Sequence, residues 1–320
     1  MGWPIDRVVV GGSQFGSRIG NLAFEAEYWL ASCFPPTRSL TGWLGTTIGG
    51  ERLLRRIAAF RPDVIVSTYP GVTEVLGRLR ARGRLTVPLV SAITDLAALR
   101  YWAHPSVDLH LVIHPESAEE IASIAPGTRV EHVRGLTDPA FEKPRDQGEA
   151  RGALGLPDAG PMALISGGGW AVGDLEGAVA VALSIPGMTV GCLCGRNEEV
   201  RRRLEARFAG DERVRVLGFT DRMSDLLAAA DVLVHSTAGL TVLEAIVRGC
   251  PPISYGWGRA HIRANNRAYV RFGLAQVAAT REELGVAIRR ALQRRPPPDD
   301  GYGRLPSAAT EVLALAGDGA

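Results

Sequence analysis

The chain has 320 residues, 46% of them hydrophobic and 22% charged. That is enough apolar material for two ordinary cores, and it argues against wholesale disorder. Basic and acidic residues nearly cancel, 36 against 34, and the signs balance within residues 1–150 as well, so neither half is a basic module and no nucleic-acid partner is expected.

No apolar run reaches the roughly 18 residues that a membrane-spanning helix requires. The opening MGWPIDRVVVGG lacks the basic-then-apolar order of a secretory leader, and a cytoplasmic location is the expectation. Cys33, Cys192, Cys194 and Cys250 form no CxxC pair and no zinc spacing, which predicts buried free thiols and no metal centre.

In chain order, short apolar runs alternate with longer helical patterns. Strands are predicted at Val8–Val10, Val64–Ser67, Leu89–Ile93, Leu109–Ile113 and Val130–Val133, then at Met162–Ile165, Thr189–Leu193, Val214–Leu217, Val232–Val234 and Pro252–Tyr255. Helices are predicted at Glu74–Arg82, Glu198–Phe208, Arg222–Ala229, Thr241–Arg248, Arg281–Arg294 and Pro306–Leu315. Runs that are apolar throughout suit parallel strands covered on both faces, and the alternation predicts an α/β fold with open parallel sheets. The charged stretch holding Pro139, Pro144, Pro157 and Pro161 reads as a boundary. Two doubly wound domains are expected, residues 1–145 and 146–302, with a terminal helix or tail at 303–320. Ligands of such sheets lie beyond the strand C-termini, which places a site in the cleft between the domains.

Phe24, Tyr28, Trp29, Leu30, Phe34, Leu40 and Trp43 crowd into one segment. Packing against the sheet is the favoured reading, because Glu25, Glu27 and Arg38 bring little positive charge. Contact with a membrane surface is the alternative.

Five segments at predicted strand ends carry the chemistry. Leu164–Gly169 is an apolar strand running into Gly167, Gly168 and Gly169. Glycine lets backbone approach a ligand closely and accepts positive φ, although a plain tight turn has the same pattern. Val234–Glu244 turns through Ser236, Thr237, Ala238 and Gly239 into a helix that begins near Leu240 and Thr241. The free N–H groups of such a helix start suit a phosphate. Glu244 lies about one turn in, placed either to accept hydrogen bonds from a ribose diol or only to favour the helix dipole. Arg196, in Cys194–Asn197, suits a phosphate or the surface. Phe219, in Val216–Asp221, suits a base pocket or the core. Gly258–Asn266 crowds His261, Asn265 and Asn266 into the start of a helical segment, where they suit sugar hydroxyls and phosphate.

In this order the five segments resemble the donor-binding half of a GT-B glycosyltransferase. The branch is that of the MurG-type transferases and monogalactosyldiacylglycerol synthases, the glycosyltransferase family 28 type. The resemblance runs from Arg61 to Leu292 and is densest over Val214–Ala275, which includes LGFTDRMSDLLAAADVLVHSTAGLTVLEAIVRG. It implies two Rossmann-like domains facing a cleft and a UDP-sugar donor, with no other cofactor. It implies Phe219 near the uracil, Glu244 on the ribose, Ser236 through Thr241 against the pyrophosphate, and Gly167–Gly169 with Arg196 framing the donor. Asn265 and Asn266 fall where the family often has an acidic residue and then Asn, a segment that holds the donor sugar. His261 replaces a usual Gly and is expected to face the donor phosphate or sugar.

The resemblance also implies a lipid or small hydrophobic acceptor on the N-terminal half, where Tyr69 and Gly71 follow one strand and Asp95 another. Asp95 is the first candidate for a general base that takes the proton of an acceptor hydroxyl. Its alternative role is the N-cap of an Ala/Leu-rich helix. His114, and likewise His104, precedes a proline in a similar context and is the other candidate base.

The start of the chain departs from the family pattern. The family opens with a strand and a Gly-rich loop ending in His, whereas Val8–Gly16 has glycines and no His and is similar to the family's second strand as much as its first. An incomplete N-terminal domain is therefore expected. No DxD pair is present to hold a divalent ion, so the leaving pyrophosphate falls to the Gly-rich loop and the helix dipole. Inversion is what the resemblance implies. The leading reading is a metal-independent UDP-sugar hexosyltransferase, peripheral at the inner face of the plasma membrane where its acceptor is a lipid. The alternatives are a nucleotide-sugar-binding or partner subunit with impaired catalysis and, ranked lower, a UDP-sugar 2-epimerase.

Overall fold

The computed structural model describes residues 35–237, 239–258 and 260–317. The predicted strand Val8–Val10, Cys33 and the aromatic residues from Phe24 to Phe34 lie outside them. Chain order begins with α1 (Pro35–Phe60), β1 (Ile65–Ser67), α2 (Pro70–Ala81), β2 (Leu89–Ile93), β3 (Leu109–Val112), α3 (Ser117–Ile124) and β4 (Arg129–His132). These strands form a parallel four-stranded sheet in the order β1-β2-β3-β4. Leu89 to Ile93 are buried throughout, as a strand covered on both faces requires.

The second sheet follows a linker. Its elements are α4 (Gln147–Ala153), β5 (Met162–Ser166), α5 (Leu175–Leu183), β6 (Thr189–Leu193), α6 (Glu198–Arg207), β7 (Val214–Leu217), α7 (Met223–Ala229), β8 (Val232–His235), α8 (Leu240–Val247), β9 (Pro252–Tyr255), α9 (Ala260–Phe272), β10 (Gln276–Ala278) and α10 (Arg281–Gln293). The order is β10-β9-β8-β5-β6-β7, all parallel. Strand order therefore reverses between β5 and β8, and a crevice opens there beyond their C-termini. Ala163 and Ile165 of β5 pack with Val232 and Val234 beneath α5 and α10. Met162 and Leu164 face the other layer, with α7, α8 and Phe141 of the linker. Side-chain caps from Asp146, Asp174, Asn197 and Thr280 start α4, α5, α6 and α10.

The linker is anchored. The Arg248 guanidinium donates to the carbonyls of Lys143 (2.7 Å) and Ala140 (2.5 Å) and to Ser224 Oγ (2.6 Å), while its Cζ lies 4.9 Å from the Phe141 ring centre. The last helix, α11 (Ala308–Gly317), is not a tail on the second domain. It returns to the first sheet, where Ser307 bridges Arg134 and Ala308, Val312 and Leu315 pack on Val90, Leu109 and Leu111. Cys192, Cys194 and Cys250 are free and buried. Among the described residues no helix is long and apolar enough to cross a membrane.

Two local expectations change. The short strand β10 carries Gln276 in its three residues and is too brief to show a period. The Ala/Leu-rich stretch after Asp95 does not become an α-helix; it bends and then makes a single 3-10 turn at Leu99–Tyr101. The reason is tertiary. Leu96 is drawn into a cluster with Val242, Ala268 and Tyr269 of the second domain, and the N–H groups of Leu96 and Ala97 go to the Asn265 side chain.

Candidate functional site

Three loops meet at the crevice. After β5 the chain makes a 3-10 turn at Gly168–Trp170. Gly168 has φ +65, and a Cβ there would stand 3.2 Å from Thr237 Cγ2, so the β5 and β8 loops approach each other at a distance that suits glycine. The loop after β6 joins them: Arg196 N–H donates to the Gly169 carbonyl at 2.8 Å and Asn197 Nδ2 to that of Trp170 at 3.2 Å.

Above this floor stand Arg196 and Phe219. The Phe219 ring is 64% exposed and the Arg196 guanidinium lies over it at 4.2 Å. A core role for Phe219 is thereby overturned: the ring and the cation form an exposed flat platform of the kind that stacks on a planar ligand.

The β8 loop leads into α8. Its N-cap, Gly239, has φ +97 and no side chain caps the helix start, which leaves the first-turn N–H groups and the positive end of the helix for an anion. Ser236 Oγ donates to the Tyr255 carbonyl at 3.3 Å. Thr241 is half-buried, and Leu240 packs into the core. Ala238 lies outside the described residues. Glu244 projects from α8 among groups of the linker, and burial, reinforced by the charge of Asp138, pushes its carboxyl up to about 7. A partner that donates hydrogen bonds to this carboxyl would favour its ionised form and lower its pKa again.

The acceptor-side candidates line up at the C-terminal end of the first sheet. Tyr69, 48% exposed, is the N-cap of α2 just after β1, and Gly71 sits in its first turn. Asp95 follows β2, and its Oδ2 accepts from Trp102 Nε1 at 2.9 Å. The Asp95 loop meets the second domain directly, since a Cβ on Gly239 would be 3.7 Å from the Thr94 carbonyl. His114 follows β3 but is 3% exposed and lies edge-on to Tyr269, with ring centres 6.1 Å apart. Burial, helped by the nearby His132, lowers its pKa to about 4. A neutral, covered imidazole of that acidity is a poor base. His104 Nδ1 accepts from Ser106 N–H.

Asn265 and Asn266 are buried on α9. Asn265 Oδ1 accepts from Leu96 (2.7 Å) and Ala97 (3.2 Å), and its Nδ2 donates to the carbonyls of His261 (2.8 Å) and Ala97 (3.4 Å). The structure thus gives Asn265 a different task from holding a sugar: it clasps the two domains together. Asn266 Nδ2 holds the β9 loop through the Trp257 (3.0 Å) and Gly256 (3.3 Å) carbonyls. His261 is exposed at the start of α9. Two residues that sequence reasoning passed over stand out, Trp170 (69% exposed) and Trp257 (39%), on the loops after β5 and β9. No spacing marks them; only the strand order brings those loops to one rim. Among the described residues no cluster suited to a metal ion is present.

Comparison with known proteins finds two family models that each match part of the chain. Residues 15–134 match the family described as monogalactosyldiacylglycerol (MGDG) synthase, and residues 185–294 match glycosyl transferases group 1. A processive diacylglycerol beta-glucosyltransferase of Staphylococcus carnosus is 25% identical over 240 residues, 73% of this chain and 60% of that protein. The chain thus spans about 60% of the length of the curated relatives it matches. Among solved structures, a UDP-GlcNAc 2-epimerase from Neisseria meningitidis superposes with TM-score 0.57 at 11% identity, covering 82% of this chain and 79% of the other. MurG of Acinetobacter baumannii does so with TM-score 0.50 at 15%, covering 83% and 76%. At these identities the likeness is one of fold, a pair of Rossmann-like domains.

Proposed function

We propose, for a chain that belongs to the GT-B glycosyltransferases of the family 28 type, that it transfers a hexose from a UDP-sugar to a lipid or small hydrophobic acceptor. The observation that carries this is the crevice between β5 and β8, where an uncapped helix start, the Gly168 turn and the exposed Arg196–Phe219 platform stand together. The platform stacks the uracil, Glu244 takes the ribose hydroxyls, and the α8 N–H groups with the flanking loops carry the pyrophosphate. Charge on the leaving UDP is met by backbone dipoles, and no divalent ion is required for that.

Asp95, beside the anion loop at the domain seam, accepts the proton of the acceptor hydroxyl as its oxygen attacks the anomeric carbon from the face opposite UDP, with inversion. The acceptor approaches over Tyr69 and Gly71. A lipid acceptor brings the protein to the cytoplasmic face of a membrane as a peripheral visitor. The 2-epimerase fold is just as close, so fold alone does not choose between the reactions; the diacylglycerol glycosyltransferase relatives favour transfer.

Calorimetric titration with UDP tests the site. Phe219→Ala and Glu244→Ala should each weaken UDP by about tenfold while leaving the melting temperature unchanged or higher. Wild-type protein that is folded and binds no uridine nucleotide would sink the proposal. Release of UDP from UDP-glucose or UDP-galactose on adding diacylglycerol vesicles would establish transfer, and binding without release would leave a nucleotide-sugar-binding subunit.

A further inference from the structure

One group at the rim of the second sheet has no part in that scheme. His235 ends β8 with its ring buried, 1% exposed. Ser166 of β5 and Ser254 of β9 stand opposite it in register. His235 Nδ1 lies 2.5 Å from the Thr237 carbonyl oxygen. Two acceptors do not approach so closely, so the proton is on Nδ1 and the ring donates. Burial lowers the pKa to about 4, so at neutral pH the ring is uncharged and Nε2 is a bare acceptor. Nε2 has no partner among the described residues, and neither has the buried Ser254 Oγ. A hydroxyl donor and a bare acceptor on adjacent, paired residues are complementary, and one bridging water would satisfy both.

We propose that His235 is a positioning residue that sets the polarity of the anion loop. Its donation to Thr237 turns that carbonyl into the sheet. Held there, the carbonyl is kept from facing a diphosphate bound in the crevice. Released from His235, that carbonyl would be free to turn toward the phosphates and repel them. His235 itself touches no ligand. This role rests on the loop binding a diphosphate, as proposed above.

Titrations of UDP and of uridine against the wild type and three variants decide the matter, because only UDP carries the anion. His235→Ala should weaken UDP about tenfold while uridine stays within about twofold. His235→Asn places an amide nitrogen where Nδ1 stood and should keep the wild-type ratio of UDP to uridine affinity. His235→Gln has the same polarity, places its amide at Nε2, and should lose that ratio. Equal losses of UDP and uridine in the Ala variant, or Asn and Gln behaving alike, would overturn the role of His235. If the Ala variant does not fold, the Asn and Gln pair decides alone. A wild type that binds UDP no better than uridine would overturn the anion loop itself, and the proposal with it; a wild type that prefers UDP leaves the loop standing whatever the variants do.

Discussion

Glu244 shows how one side chain can couple binding to protons. Its carboxyl ionises near 7 in the folded chain, against an ordinary value of 4.5, because burial and Asp138 penalise the charge. The folded state therefore holds the extra proton between these two values, and stability contributed by the neutral form is lost as pH rises through that window. Above it the cost is at most about 3 kcal/mol. Glu244→Gln should raise the melting temperature at pH 8 and leave it unchanged near pH 4. A ribose diol donates to the ionised form, so the affinity for uridine, which carries no titrating phosphate, should climb in the wild type as pH rises toward about 7 with release of a proton, and should be flat in the Gln variant. Calorimetry in two buffers of different ionisation enthalpy measures both. The sequence placed Glu244 on the helix but left its role even between ribose and dipole, because the acid's surroundings come from the distant linker.

At the scale of the element, α8 depends on how it begins. Gly239 sits at φ +97 with the Thr94 carbonyl close to where a Cβ would be. Gly239→Ala should cost about 1–3 kcal/mol in urea denaturation. It should also weaken UDP, since relaxing the strain moves the first-turn N–H groups. The strand–turn–helix order around it was legible in VLVHSTAGLTVLE, because apolar strand, small residues and helical period follow one another locally. The fate of the stretch after Asp95 was not. Its composition favours a helix, and packing with α8 and α9 outweighs a propensity worth only tenths of a kcal/mol per residue.

For the whole molecule, two of the contacts that join the domains can be tested by substitution or truncation. One is the clasp of Asn265 on Leu96 and Ala97; the other is α11 crossing back onto the first sheet. Asn265→Ala leaves two largely buried N–H groups unpaired and should cost about 2–4 kcal/mol. Amide exchange at Leu96 and Ala97 should quicken while the second sheet's central strands stay protected. Ending the chain after Leu305 uncovers Val90, Leu109 and Leu111 and should lower the melting temperature of the first domain more than the second, seen as a split transition in calorimetry. Unchanged cooperativity in both variants would mean that the domains are held together elsewhere.

The sequence by itself determined the parallel α/β class, most of the described strands and the loops after β5, β6 and β8, because alternation, glycine and capping are written in neighbouring residues. Only the tertiary structure decided which groups meet. It covered His114 with Tyr269, exposed Phe219 beneath Arg196, turned Asn265 from a sugar contact into a clasp and returned the last helix to the first domain. Each of these depends on residues far apart in the chain, and burial and hydrogen-bond satisfaction are settled only when those residues are brought together.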